Sequence, residues 1–376
     1  LRTMPRRQPD LPSEAVPRLP IDAGLPRFET GGVHPDGGPG PFVSVVTPFY
    51  NTAAYLGECI ESVLAQSYTN FEYILLDNQS TDNGRAIAEG YAARDPRIRV
   101  HTTDRFLPQI ENYNAALRLI SPASRFVKIA QADDALFPEC LEQMVRVAAA
   151  HPRVGVVSAF MLRALKVRFD HYDFADNVAP GQAIIRARLL RDRNYFGSPT
   201  SVLLRADLVR GRNPFFDPGD MHADTWACLD ILMDWDFGFV SQVLTVERVR
   251  PESITGHLDE MDPGWTLIGH VVGVRRYGPR VLTAAEMAAC WKATEREYLK
   301  GLAAGLIRPH RKAVRAHHEE RWNAVDYHPP RLRLAVYMLG SLLAVLVNPR
   351  RLVAALRRRM RADHPVNEAL GAAEPR

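Results

Sequence analysis

The chain has 376 residues, 46% hydrophobic and 24% charged, with a formal net charge of +4. That length and apolar content allow a substantial core in more than one folding unit. The four cysteines, Cys59, Cys140, Cys228 and Cys290, are widely spaced with no CxxC pair, which speaks against a zinc knot or a disulfide framework and fits a reducing, cytoplasmic setting.

Residues 1–41 hold nine prolines, several glycines and no sustained periodicity. Such a stretch buries too little apolar surface to offset its ordering entropy, so a disordered leader is expected there. No basic stretch followed by an apolar run opens the chain, and no secretory signal is expected. From residue 42 the pattern changes. Val43-Ser44-Val45-Val46 is a β-branched run that stops at Pro48. Asn51 or Thr52 can cap a helix whose apolar positions Tyr55, Leu56, Cys59, Ile60, Val63 and Leu64 recur at helical spacing. A second strand over 71–76 ends in Asp77. Ser80-Thr81-Asp82 offers the cap of a helix running to about 94, and 97–101 reads as a third strand. A helix over 109–120, a fourth strand over 125–130, a helix from Pro138 to about 150 and a fifth strand over 154–159 follow.

Strands alternate with helices across short connections, which predicts an α/β fold with a mostly parallel, Rossmann-like central sheet flanked by helices. In open sheets of this kind ligands bind beyond the carboxyl ends of the strands. Pro48 to Asn51, Asp77 with Asn78, and Asp133 with Asp134 all follow strand ends, so polar groups gather at one rim. Residues 160–260 are less regular, with segments at 186–193, 195–204, around Asp224 and at 237–246. From Thr283 the pattern is helical to about Asn323.

Asp133 and Asp134 stand side by side in a loop, where two carboxylates repel each other. Such a pair suits a divalent cation with oxygen ligands, Mg2+ or Mn2+, which takes its other ligands from phosphate and water. A solvated loop, or an acidic turn before the helix that Pro138 opens, is the simpler alternative for a bare Asp-Asp pair.

The wider context is more specific. "FVSVVTPFYNTAAYLGECIESVLAQSYTNFEYILLDNQSTDNG" (42–84) resembles the opening of the family 2 glycosyltransferases, which have the GT-A fold. The matching elements are Pro48, Tyr50 and Asn51, then Leu64, Gln66 and Ser67, then Asp77, Ser80, Thr81 and Asp82. "QADDALFPECL" is similar to the family's metal-binding motif and the helix start after it, and the likeness extends over about 42–255. It implies an inverting, metal-dependent transferase acting on a nucleoside-diphosphate sugar, with a UDP-sugar favoured and dTDP- or GDP-sugars as alternatives, and with a hydroxyl acceptor. Polysaccharide, glycolipid or glycosylated-metabolite biosynthesis is the implied setting.

On this resemblance Pro48, Phe49 and Tyr50 border the nucleotide, with Asp77, Asn78 and Ser80 on the base and ribose. Asp133 contacts ribose or metal, and Asp134 the metal on the diphosphate. "GDMHADTWACLDIL" is similar to the later acidic motif that supplies the general base, with Asp224 as the match. "FGSPTSVLLR" resembles the acceptor-side loop and strand, so Gly197, Ser198 and Pro199 fall there, with His222 as a hydrogen-bond neighbour of Asp224. "ERVRPESIT" resembles a late arginine-containing turn in which Arg248 or Arg250 faces phosphate. His257 is a further candidate metal ligand.

Three departures stand out. Gln131 occupies a place where the family often has Asp, and Asn78 one that is often acidic; an amide both donates and accepts, which leaves the preferred base open. No Gln-x-x-Arg-Trp motif of the processive members falls where expected, since Arg321-Trp322 comes too late, so transfer of a single sugar is expected.

The expected organisation is a leader (1–41), a GT-A domain (42–260, with a nucleotide-sugar half at 42–150 and an acceptor half at 151–260), a helical C-terminal subdomain (261–362) and a tail (363–376). Leu334 to Val347 is uncharged and mostly apolar. Its 14 residues reach about 21 Å as a helix, short of the ~30 Å hydrocarbon core of a bilayer. With the Arg-rich stretch that follows, residues 334–361 fit peripheral contact with the cytoplasmic face of a membrane; a buried helix or a homodimer contact are the alternatives. The charge excess is mostly arginine, whose planar fork suits phosphate but whose abundance also follows codon usage. Without an aromatic platform beside it, nucleic acid is not an expected partner. A non-catalytic nucleotide-sugar-binding protein and a sugar nucleotidyltransferase are the rival classes; the second lacks its Gly-rich phosphate loop here.

Overall fold

The computed structural model describes residues 40–347 except 165, 169–171, 173, 192, 250–261, 263 and 308–310. The expected leader (but for its last two residues), Arg250, His257, the basic stretch 350–361 and the tail therefore lie outside the described residues.

The first half alternates as the periodicity predicts: β1 (Val43–Phe49), α1 (Ala53–Leu64), β2 (Phe71–Asp77), α2 (Gly84–Ala92), β3 (Ile98–Thr102), α3 (Gln109–Leu117) and β4 (Phe126–Ile129). Along β1 and β2 the side chains divide with a period of two. Val43, Val45, Phe49, Tyr73 and Leu75 pack on one face with Leu56, Ile60, Leu141 and Met144, while Val46, Ile74 and Leu76 pack on the other with Tyr113, Leu117 and Val127. Each such fully buried aliphatic or aromatic side chain contributes about 1.5–3 kcal/mol relative to exposure. β1 continues past Pro48, where the sequence had suggested a stop. The missing N–H is tolerated because β1 pairs with β4 only from Val43 to Val46, leaving Pro48 a neighbour on the β2 side alone.

The remaining elements are β5 (Ala135–Leu136), α4 (Cys140–Ala150), β6 (Val154–Arg163), β7 (Lys166–Arg168), β8 (Val178–Ala179), α5 (Gly181–Arg191), β9 (Val202–Arg205), α6 (Ala206–Arg210), α7 (Ala223–Leu232) and β10 (Asp236–Glu247). Four helices close the described chain: α8 (Trp265–Val281), α9 (Ala284–Leu306), α10 (Arg311–Ala324) and α11 (Arg331–Val347). The sheet runs in the order β3-β2-β1-β4-β9-β6-β10-β5. Its long pairings are parallel (β2 with β3, β1 with β2 and β4, β6 with β10). The antiparallel ones, among them β9 between β4 and β6, are only two or three residue pairs long.

α9 opens on a capping box between Thr283 and Glu286. A third cluster of Ile268, Val271, Tyr298, Leu302, Val314, Trp322 and Tyr327 joins the last helices. α8 belongs to both halves, since its Val272, Val274 and Tyr277 pack into the core of the sheet domain. All four cysteines are free and buried, as their spacing implied.

Candidate active site

The tips of β1, β2 and β4 open onto a cleft of about 1100 Å3. Next to the tips of β1 and β2 the chain reverses twice. Asn51 adopts a left-handed conformation, φ 49°, a conformation Asn tolerates better than most residues. Its Oδ1 accepts from the N–H groups of Thr81 (2.8 Å) and Asp82 (3.3 Å). Neither Asn51 nor Thr52 caps α1 with its side chain; Asp82 serves instead. One of its oxygens accepts from Ala53 N (2.8 Å) at the start of α1 and the other from Gly84 N (2.9 Å) at the start of α2. One carboxylate thus faces the positive ends of two helix dipoles.

Pro48, Phe49, Tyr50 and Asn78 line this end of the cleft, joined by Phe106 and Leu107. Tyr50 and Phe106 are both 42% exposed, with ring centroids 4.8 Å apart. The two rings meet edge to face, and each keeps part of its surface open to the cleft. Asn78 gives its amide to the neighbouring loop: Nδ2 donates to Leu107 O (2.8 Å), and Oδ1 accepts from Leu107 N (2.9 Å). Asp77 is buried and accepts from Ser80 N (2.9 Å), while Ser80 Oγ accepts from Asn51 N (3.2 Å). These two shape the turn and are not among the residues lining the cleft.

Asp133 and Asp134 sit in the turn between β4 and β5. The turn is drawn to the end of β10 because β5 pairs antiparallel with it, Ala135 opposite Val246. Asp134 is buried; its carboxylate accepts from Thr200 Oγ1 (2.5 Å) and Arg248 N (3.1 Å). Burial, reinforced by the neighbouring charge of Asp133, pushes its pKa up to about 8. Thr200 is itself held from below. Its hydroxyl accepts from Gln131 N (3.1 Å), and its carbonyl receives the Nζ of Lys128 (2.5 Å), fully buried on β4. Burial pulls the Lys128 amine downward.

No group of three or more His, Cys, Asp and Glu able to hold a metal occurs among the described residues. Two carboxylates in one turn nevertheless suit a hard divalent cation that completes its shell from phosphate and water. A buried carboxyl raised this far by burial and a neighbouring charge is one that a cation would relieve. The residues present fit such an ion.

Arg248 lines the cleft. Its guanidinium donates to Asp133 O (3.0 Å), pairs with Glu58 (2.7 Å) and lies over the Tyr55 ring.

Gly197, Ser198 and Pro199, just before Thr200, line the cleft as well, and so do His222 and Asp224. Gly197 has φ 64°, which only glycine adopts without strain. Asp224 stands in the first turn of α7, its Oδ1 accepting from Thr225 N (2.7 Å). Desolvation raises its pKa against the opposing pull of Thr225, His222 and Arg188. Buried Tyr113 lines the cleft too, its hydroxyl pushed upward by burial and by the charges of Asp133, Asp134 and Asp224.

His222 precedes α7, its backbone N–H donating to Asp220 Oδ1 (2.8 Å). Buried Asp220 also receives Arg321 from α10 (2.8 Å), and Arg321 reaches Gly219 O as well. Burial would raise Asp220, but the bonds from His222 and the charge of Arg321 hold it down at about 2.

The rest of the lining carries residues that sequence reasoning missed. Arg163, Arg168, Arg188 and Arg193 come from the ends of β6, β7 and α5 and the loop after α5. Trp265, Thr266 and His270 come from α8. No local motif marks these positions, because they come from several elements far apart in the chain.

Residues 44–211 match the profile of glycosyl transferase family 2. That segment is a family 2 glycosyl transferase domain, and its fold is GT-A. Among curated proteins, the chain is 40% identical over 121 residues to the uncharacterized protein y4gI of Sinorhizobium fredii, covering 31% of this chain and 13% of that protein. It is 50% identical over 58 residues to the glycosyltransferase GlyG of Streptococcus pneumoniae, covering 15% and 19%. It is 37% identical over 126 residues to the putative glycosyltransferase EpsE of Bacillus subtilis, covering 33% and 44%. The chain thus spans less than half the length of these relatives. Among solved structures, TarS of S. aureus (residues 1–349, crystallised with UDP) shares the fold with a TM-score of 0.50 at 16% identity, covering 76% of this chain and 90% of that one.

Proposed function

We propose that the protein is an inverting glycosyltransferase that moves one sugar from a nucleoside-diphosphate sugar to an acceptor hydroxyl in the assembly of a polysaccharide or glycolipid. The observation that carries this reading is that the paired carboxylates Asp133 and Asp134 line the same cleft as Asp224, a carboxylate from a distant part of the chain. The family 2 domain at 44–211 and the glycosyltransferases among the relatives support it.

Tyr50 and Phe106 would stack on the nucleotide base, and the Asn51–Asp82 turn would hold the floor beneath the ribose. A UDP-sugar is favoured as donor, in keeping with the UDP in the TarS crystal. Mg2+ or Mn2+ held by Asp133 and Asp134 would set positive charge against the diphosphate as it leaves. Asp224 would accept the acceptor's hydroxyl proton as the new C–O bond forms on the face opposite the departing nucleoside diphosphate. A carboxylate whose pKa is raised by desolvation is the better base for this step, and a positioned base contributes roughly 10²–10⁴-fold.

A thermal-shift series with UDP, dTDP and GDP, each with Mn2+ or with chelator, tests the donor half. One diphosphate should raise the melting temperature far more with Mn2+ present. Equal shifts with chelator would remove Asp133 and Asp134 as ligands. Release of nucleoside diphosphate from the matching sugar donor tests the other half. Asp224→Asn should keep the thermal shift and lose about 10²–10⁴-fold in turnover; undiminished turnover would mean that Asp224 is not the base.

A further inference from the structure

α11 has two unlike faces. Leu334 packs against the cluster that holds Trp322 and Tyr327, and Arg333 pairs with Glu295 of α9. The opposite face carries Leu332, Val336, Leu339 and Leu343 at the i, i+4, i+7, i+11 spacing of a single helical stripe. They are 80, 63, 59 and 51% exposed, and Leu342 at the edge of the stripe is 46% exposed. From Leu332 to Leu343 the stripe runs about 16 Å along the axis, a larger contiguous apolar surface than scattered exposed residues provide. The alternative of a helix buried on all sides is thereby set aside, because this face has no protein cover among the described residues.

α11 is not a bilayer span. Its 17 residues reach about 25 Å against a hydrocarbon core of ~30 Å, and no described helix is long and apolar enough to cross.

Charge decides what covers the stripe. Residues 329–362 contain no Asp or Glu and eight arginines, at positions 331, 333, 350, 351, 357, 358, 359 and 361. A second copy of the chain docking through this face would bring two such sets of like charge together. An anionic lipid surface would neutralise them and at the same time take up the apolar stripe.

We infer that α11 lies in the headgroup layer of an anionic membrane, with the Leu332–Val336–Leu339–Leu343 stripe turned to the acyl chains and the positive charge that the sequence carries over 329–362 drawing the chain to the lipid phosphates. This does not depend on the transferase reading.

Co-sedimentation of the full chain with vesicles tests it. Binding to phosphatidylcholine vesicles that contain phosphatidylglycerol should exceed binding to phosphatidylcholine alone by about tenfold and weaken as salt is raised. Leu339→Asp with Leu343→Asp, at exposed positions, should abolish binding while circular dichroism and the nucleoside-diphosphate thermal shift stay as in the parent. Arg357→Glu with Arg358→Glu, which leaves the stripe intact, should remove the preference for the anionic vesicles. Equal binding to both vesicle types, or unchanged binding by the Leu339/Leu343 variant, would overturn the inference. So would a dimer seen by light scattering that this variant splits, in a chain that binds neither vesicle.

Discussion

Asp224 and Thr200 are the side chains through which small chemical changes should be felt most sharply. Desolvation holds the Asp224 pKa above the ordinary carboxylate range, so its basic form is fully present only above that raised value. The turnover of the parent should therefore fall as pH is lowered through a point higher than an exposed aspartate would give, and a pH–rate profile under saturating donor would locate it. Thr200 Oγ1 donates to buried Asp134 and accepts from the N–H of half-buried Gln131. Thr200→Val keeps the shape but takes one hydrogen bond from each partner, leaving Asp134 only the bond from Arg248 N. It should destabilise the protein by about 1–3 kcal/mol in urea unfolding, and Thr200→Ser should recover most of the loss.

Between elements, two contacts tie the cleft to its scaffold. Asp82 accepts from the first N–H of α1 and of α2, so Asp82→Ala removes two caps at once. About 1–2 kcal/mol of stability should be lost, against roughly 1 for a single ordinary cap, measured by chemical unfolding. Arg321 and Asp220 join α10 to the loop before α7, with side chains only 10 and 9% exposed. Removing Arg321 alone strands a buried carboxylate, at an expected cost of about 3–5 kcal/mol. Asp220→Asn with Arg321→Met should lose clearly less than the two single changes added together, because each single change leaves the other partner unsatisfied. Since Asp220 is held at about 2, below its unfolded value, the stability it contributes is present above the unfolded pKa and lost as pH falls toward 2. In an acid titration the parent should lose more stability over that window than Asp220→Asn.

For the molecule as a whole, the donor half was the more legible in sequence. Strand runs that stop at Pro-x-Tyr-Asn, at Asp77 and at the paired aspartates place one rim, and the rim is where the cleft opens. Asp224, singled out through its motif, lines the same cleft. The missed parts share physical causes. Val202–Arg205 is apolar on both faces, so nothing in its pattern told its direction or its place between β4 and β6. α8 was hidden by Gly269, Gly273 and the Gly278-Pro279 pair, poor helix formers in isolation. At Gly269 the reason is close packing, for a Cβ there would stand 2.5 Å from His222 Nε2. Phe106 is a lone aromatic in a loop, with no periodicity to mark it.

The family match ends at residue 211, while Asp224, His222 and the α8 residues of the cleft come later in the chain. A graft of 44–211 onto another scaffold would therefore carry Asp133 and Asp134 but leave behind Asp224, the base proposed above.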